Sequence, residues 1–202
     1  MSILALDTTG RDCAAALRRS GQDDLIIREA IGRGHAERLA PMVAELLAKA
    51  GLSPKALTRI GVTVGPGSFA GTRVGVAFAR GLALSSRAKA YGISNLAIWA
   101  QNGPATSFVV AHDAKRGEVI VQTWSHQTGT EPQRMTVEAA SALIGDRPVI
   151  GPGAALFGGE DASALDLTAL LDLTETAPGA ASPPIPFYAR PPDAKLPGGV
   201  EP

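Results

Sequence analysis

Two stretches bring groups together that could do chemistry. Asp7-Thr8-Thr9-Gly10 places a carboxylate and two hydroxyls at the end of a short apolar run, residues 3–6. Such a turn suits a metal–phosphate site. It equally suits an ordinary turn, because Asp and Thr side chains bond their own backbone, and that reading is favoured. The second stretch is Gly65-Pro66-Gly67-Ser68-Phe69-Ala70-Gly71-Thr72-Arg73-Val74-Gly75. It follows the apolar run 60–64 and opens a proline-free segment, 72–86, with helical spacing. A glycine turn into a helix N-terminus can hold a phosphate. Neither the P-loop pattern with its Lys nor GxGxxG is present, so a tight turn that packs the helix against a sheet is favoured.

The other candidates are isolated. His35, Glu37 and Arg38 open a helical pattern, but the residue four after His35 is Leu39, so no His-x-x-x-His pair forms. Asp113 and Glu118 flank a turn without His or Cys partners, and Cys13 lies in an apolar stretch. One cysteine cannot make an intrachain disulfide, which points to a reducing compartment. Lys and Arg total 19, matched by 19 Asp and Glu. A balanced chain has no net field to draw it onto nucleic acid or an acidic membrane. The N-terminus lacks the basic and apolar regions of a signal peptide, and no apolar run approaches the ~20 residues that span a bilayer.

The elements that must position these groups follow from pattern. Residues 3–6, 13–17 and 25–30 read as strands of an antiparallel meander. Residues 35–50 read as a helix with Leu39, Met42, Val43, Leu46, Leu47 and Ala50 on one face, stopped by Gly51; Pro41 kinks it or marks the first turn of a shorter helix. On the segment from 72, Val74, Phe78 and Leu82 are expected to face the sheet. Gly71, Gly75, Ala79 and Ala83 form a small-residue stripe that admits a second helix, from the same chain or another subunit. A short strand at 90–92 precedes a helix at 94–100. Past a break at 102–104, strands 107–111 and 118–124 surround the turn 112–117, echoing the opening of the chain. This sets a boundary between halves 1–103 and 104–202. A short helix at 137–144, a strand at 148–150 and a proline-dense extended tail from 178 complete the chain.

Together these motifs resemble the TsaB family, the non-catalytic subunit in biosynthesis of threonylcarbamoyladenosine on tRNA. The matching pieces are residues 3–9, 35–41, 65–75, 92–96, 113–119 and the tail 186–195; Ala70 stands where the family usually has Thr. The resemblance implies an α/β protein of the sugar-kinase/Hsp70/actin superfamily, an actin-like ATPase fold with two ribonuclease-H-like lobes and mixed sheets. In the related catalytic subunit TsaD a His-x-x-x-His motif holds a metal; Asn95 and Trp99 occupy those positions here. No catalytic residue, metal or cofactor is therefore expected, and Asp7, Thr8 and Thr9 are expected to be a vestigial phosphate loop. The implied partners are a TsaD-like subunit, a TsaE-like ATPase through that complex, a second copy when alone, and tRNA only through the complex, in the cytoplasm and away from membranes. His35, Glu37, Arg38, Gly71, Arg73, Gly75, Ala79 and Ala83 are the expected partner interface.

Overall fold

The computed structural model describes residues 1–162, 164–178 and 183–188. The first half is a sheet of five strands: β1 (Ser2–Asp7), β2 (Asp12–Arg19), β3 (Leu25–Ala30), β4 (Arg59–Thr63) and β5 (Lys89–Ile93). Their order is β3-β2-β1-β4-β5. β1 runs antiparallel to β2 and parallel to β4, which is the ribonuclease-H-like arrangement. β1 and the central part of β2 are apolar without a polar alternate because both faces of the sheet are covered.

Helices α1 (His35–Ala50) and α2 (Phe69–Ser86) cover one face. Helix α3 (Asn95–Ala100) follows β5. α1 keeps its expected bounds, with exposed Pro41 inside it and Gly51 closing it at φ 65°. α2 begins three residues before the expected start. Ser68 caps it by accepting from the Gly71 amide at 3.3 Å, and Thr72 turns its hydroxyl back to the Ser68 carbonyl at 2.7 Å.

The second half repeats this topology. It contains β6 (Phe108–Lys115), β7 (Glu118–Ser125), β8 (Thr128–Gly129), β9 (Gln133–Thr136), α4 (Val137–Ile144) and β10 (Val149–Ile150). β6 is antiparallel to β7, β7 antiparallel to β9, and β6 parallel to β10, so β9-β7-β6-β10 reproduces β3-β2-β1-β4. Each repeat places Gly-Pro-Gly after its last equivalent strand, at 65–67 and 151–153. Gly65 and Gly151 both have positive φ, 102° and 100°. The two mixed sheets make the actin-like class implied by the family resemblance.

The last helix, α5 (Leu167–Thr176), returns to the first half. Leu167, Leu170 and Leu171 pack with Ile3, Ala5, Ala14 and Ala16 on the sheet face opposite α1 and α2. Arg18 on β2 reaches Asp172 at 2.6 Å and Glu175 at 2.9 Å, and Arg59 caps the carbonyls of Thr174 and Ala177. Residues 104–202 therefore do not all belong to the second lobe, since α5 completes the first core. Residues 183–188 are extended, and the rest of the tail, including the 189–195 part of the motif, lies outside the described residues. Among those described, no helix is long and apolar enough to cross a membrane.

The faces of α2 differ from expectation. Gly71, Gly75 and Ala79 are the buried face, while Val74, Phe78 and Leu82 pack at its margin. The small residues let the helix lie tight against the chain's own β1 turn. A Cβ on Gly75 would stand 2.6 Å from Thr8 Oγ1 and 3.3 Å from Val62 Cγ2, and one on Gly71 would overlap the Thr8 carbonyl. The partner-interface assignment of Gly71, Gly75 and Ala79 is thereby corrected, and Ala83 is half-buried against the same core. Two substitutions on this helix separate the faces. Gly75→Ala should destabilise the protein by about 1–3 kcal/mol through overpacking. Gly81→Ala, where a Cβ meets nothing within 4 Å, should stabilise it by about 0.5–1 kcal/mol. Urea unfolding of both variants measures the difference.

Candidate functional site

The two Gly-Pro-Gly turns and the β1–β2 turn line a crevice between the halves. Asp7 ends β1, buried, and its Oδ1 accepts from the Thr9 amide at 3.0 Å, the Thr9 hydroxyl at 2.7 Å and the Thr63 hydroxyl at 2.8 Å. The Thr8 hydroxyl donates to the Gly71 carbonyl at 2.7 Å, and the Ser68 amide donates to the Thr9 carbonyl at 2.7 Å. Asn95, at the start of α3, closes the network. Its Nδ2 donates to Thr9 Oγ1 at 2.7 Å and to the Pro66 carbonyl at 3.2 Å, while its Oδ1 accepts from the Gly65 amide at 3.2 Å.

The groups that could cradle a phosphate are thus bonded to one another. The Gly65 and Ser68 amides, the Thr8 and Thr9 hydroxyls and one oxygen of Asp7 all have partners within the chain. Gly67 seals the seam, since a Cβ there would sit 2.6 Å from the Thr9 carbonyl oxygen. The space left is about 130 Å³, lined by Asp7, Thr9, Pro66, Asn95, Trp99 and His112 among others. Small-molecule pockets span roughly 300–1,000 Å³, so this space is small for a nucleotide.

Asn95 and Trp99 both line this crevice, and the amide of Asn95 is spent on the loop. Among the described residues no group of three His, Cys, Asp or Glu side chains is placed to hold a metal ion. Asp113 and Glu118 lie on the β6–β7 hairpin and do not line the crevice. The hairpin turns tightly through Arg116 and Gly117, both at positive φ, and the strand runs on to Lys115 beyond the expected end. Burial pushes the Asp113 carboxyl up, but the Lys115 ammonium at 2.6 Å and the Lys115 amide at 2.7 Å more than offset this and hold it low. Burial pushes the Cys13 thiol up to about 11, so it stays protonated and unreactive near neutral pH.

The remaining interface candidates occupy varied positions. Arg38 is held by Glu29 of β3 and Glu45 of its own helix. The His35 ring lies 3.2 Å from the Asp12 carbonyl, and Glu37 is exposed. Arg73 is exposed and stacks on Phe69, 3.8 Å from the ring centre. His112 and Pro152 line the crevice and Thr63 bonds Asp7 from the core, none of them singled out in the sequence. The signal that could have found the first two is the second Gly-Pro-Gly, which sets the wall opposite the first.

Comparison with known proteins agrees with this geometry. The family model described as TsaD, tRNA N6-adenosine threonylcarbamoyltransferase, matches residues 26–144. The tRNA threonylcarbamoyladenosine biosynthesis protein TsaB of Escherichia coli is 38% identical over 124 residues, 59% of this chain and 53% of that protein. TsaB of Buchnera aphidicola is 30% identical over 146 residues, 70% of this chain and 68% of that one. The chain belongs to the TsaB family. Its match spans about half the length of the E. coli member. A Pseudomonas aeruginosa structure, described as an uncharacterized protein with similarity to peptidase YeaZ, is 29% identical with a TM-score of 0.80, covering 94% of this chain and 99% of that one.

Two outcomes check the crevice. Asn95→Ala leaves the Gly65 amide and the Pro66 carbonyl without their side-chain partner, and should cost about 1–3 kcal/mol in urea unfolding. His112 titrates with the opposite charge sense. Burial pushes its pKa down, Asp113 raising it and Lys115 lowering it less strongly. The unfolded chain then takes up a proton first as pH falls below about 6.5, so stability present above that pH is lost between it and the lower folded value. Asp113 and Asp166, both held low, add their losses only further down, toward and below the ordinary carboxylate range. Unfolding measured from pH 7.5 to 5 should show the decline, and His112→Gln should flatten it.

Proposed function

We propose that this chain is a non-catalytic scaffold subunit that binds and activates a TsaD-like transferase in threonylcarbamoylation of adenosine 37 of tRNAs reading ANN codons. The observation that carries the reading is the self-bonded crevice, in which Thr8, Thr9 and Asn95 occupy the donors and acceptors a phosphate would need. The TsaB names of its relatives supply the process. A TsaE-like ATPase joins through the TsaD-like subunit, tRNA is met only in the complex, and the free chain forms a homodimer in the cytoplasm.

The docking face in this proposal is the solvent side of α1 and α2, not the buried glycine stripe. Ala40, Ala44 and Ala48 line α1 there, and Ala77, Gly81 and Leu84 line α2. Leu84 is 86% exposed, an apolar side chain with little cover from its own chain. Small residues let a partner's helices approach closely. Both assemblies use this face, so the homodimer and the TsaD-like complex exclude one another.

The rival reading is a stand-alone enzyme, a glycopeptidase-like hydrolase or small-molecule kinase. The peptidase similarity given for the Pseudomonas relative favours it. Metal analysis and a nucleotide titration of the purified protein discriminate, because a stoichiometric metal or a saturable nucleotide would support the enzyme. For the scaffold, Ala77→Trp should fold normally yet bind the TsaD-like subunit about 5- to 150-fold more weakly, the scale of 1–3 kcal/mol of overpacking. Ala139→Trp, at an exposed position of α4, is the control. Calorimetric titration with the subunit reads both, and equal affinity for the two variants places the interface elsewhere.

A further inference from the structure

The last described stretch, residues 183–188, follows α5 and comes back to the loop that opens α2. Its seat is shaped for it. The Phe187 amide donates to the Val64 carbonyl at 2.7 Å. Pro184 is buried over Gly92, where a Cβ would stand 3.2 Å from the proline Cα. A Cβ on Gly65 would stand 2.5 Å from the Phe187 carbonyl oxygen. Two glycines thus admit the backbone of this segment.

The last described residue of the segment, Tyr188, meets one side chain of α2. Arg73 Nε donates to the Tyr188 hydroxyl at 2.8 Å. The Arg73 guanidinium lies over the Phe69 ring, 3.8 Å from its centre, and beside the Tyr188 ring, 5.4 Å from its centre, with the two rings in contact at 4.9 Å. An exposed arginine is ordinarily costly to order on binding, because several rotatable bonds must be fixed. Here the cost is met before any partner arrives. α2 carries Arg73 and Arg80 with no carboxylate along its length, so its exposed side suits an acidic surface.

We propose that residues 183–188 form a strap that holds Arg73 ready for a carboxylate on the partner docked to α2, so that seating the strap strengthens that docking. The identity of the partner rests on the function proposed above; the strap itself does not. Among the described residues the strap is held by the Phe187–Val64 and Arg73–Tyr188 hydrogen bonds, the Phe69–Tyr188 ring contact and Pro184 over Gly92, none of them part of a strand ladder, so it can be released without unfolding either sheet.

The test uses the full-length protein with Tyr188→Ala, Tyr188→Phe, Arg73→Ala and the Tyr188→Ala/Arg73→Ala double variant. Hydrogen exchange reads the seat. The Phe187 amide should be protected in the parent and exchange about tenfold or more faster in Tyr188→Ala, with β4 amides unchanged as the folding control. Titration with the TsaD-like subunit reads the docking. Tyr188→Ala and Arg73→Ala should each weaken it by about five- to tenfold, Tyr188→Phe by less, and the double variant no more than Arg73→Ala, because the strap acts through that arginine. An unprotected Phe187 amide in the parent overturns the strap. Unchanged affinity of Tyr188→Ala, or full additivity in the double variant, overturns its coupling to Arg73. If the parent does not bind the subunit at all, the proposed function and this coupling fall together, while the exchange result still decides the strap.

Discussion

The structure depends on the close seating of Thr8 and Thr9 against three glycines. Gly67 faces the Thr9 carbonyl, Gly71 the Thr8 carbonyl and Gly75 the Thr8 hydroxyl, each at a separation that leaves no space for a methyl group. The spacing of four between them keeps all three on one side of the loop and first turns of α2, so the helix can lie directly on the end of β1. That contact fixes the height of α2 over the sheet and of α1 beside it. It also fixes the loop whose outer edge receives Phe187 and whose inner edge is bonded by Asn95. Close packing is reinforced by hydrogen bonds that span distant parts of the chain, Thr8 to Gly71 and Asn95 to Thr9. Disturbing one member leaves others buried without partners, so the cost spreads beyond the residue changed.

The positions of α1, α4 and most strands were legible because each follows a periodic pattern with a clear stop. Gly51 ends α1, and Ser94 caps α3 through the Leu96 amide. The turn reading of Asp7-Thr8-Thr9-Gly10 matches the bonds of Asp7 Oδ1. The two faces of α2 were not legible. Apolar residues normally face the core, so Val74, Phe78 and Leu82 looked like the buried side. The sequence does not state how near the helix approaches the sheet, and at so short a distance only glycine and alanine fit beneath it. The same limit hid the role of Arg38, whose partners Glu29 and Glu45 come together only when β3 and α1 pack.

α5 was missed although its signals are present. Asp166 caps it by accepting from the Thr168 and Ala169 amides, and Leu167, Leu170, Leu171 and Thr174 follow helical spacing. Its destination could not be inferred from that pattern. Gly61 provides it, because a Cβ there would overlap the Thr174 hydroxyl. A glycine in the middle of a buried strand was thus a mark of a helix crossing close above it.

The two halves use one architecture for different ends. In each, Gly-Pro-Gly follows a parallel strand and touches the neighbouring hairpin: Gly67 against Thr9 in its turn in the first, Gly153 against the β6 backbone between Ala111 and Asp113 in the second. In the first half a long helix follows the turn and the hairpin carries hydroxyls that bond to it. In the second, only the short turn Ala154–Phe157 follows, and the hairpin folds back tightly on Arg116 and Gly117. Turn amides that are left free can hold an anion in such a crevice. In this chain the first turn is bonded by Asn95, which takes up the Gly65 amide and the Pro66 carbonyl. One amide side chain both satisfies the loop and bonds Thr9 across the turn, so the stability of the fold and the closure of the crevice have the same source.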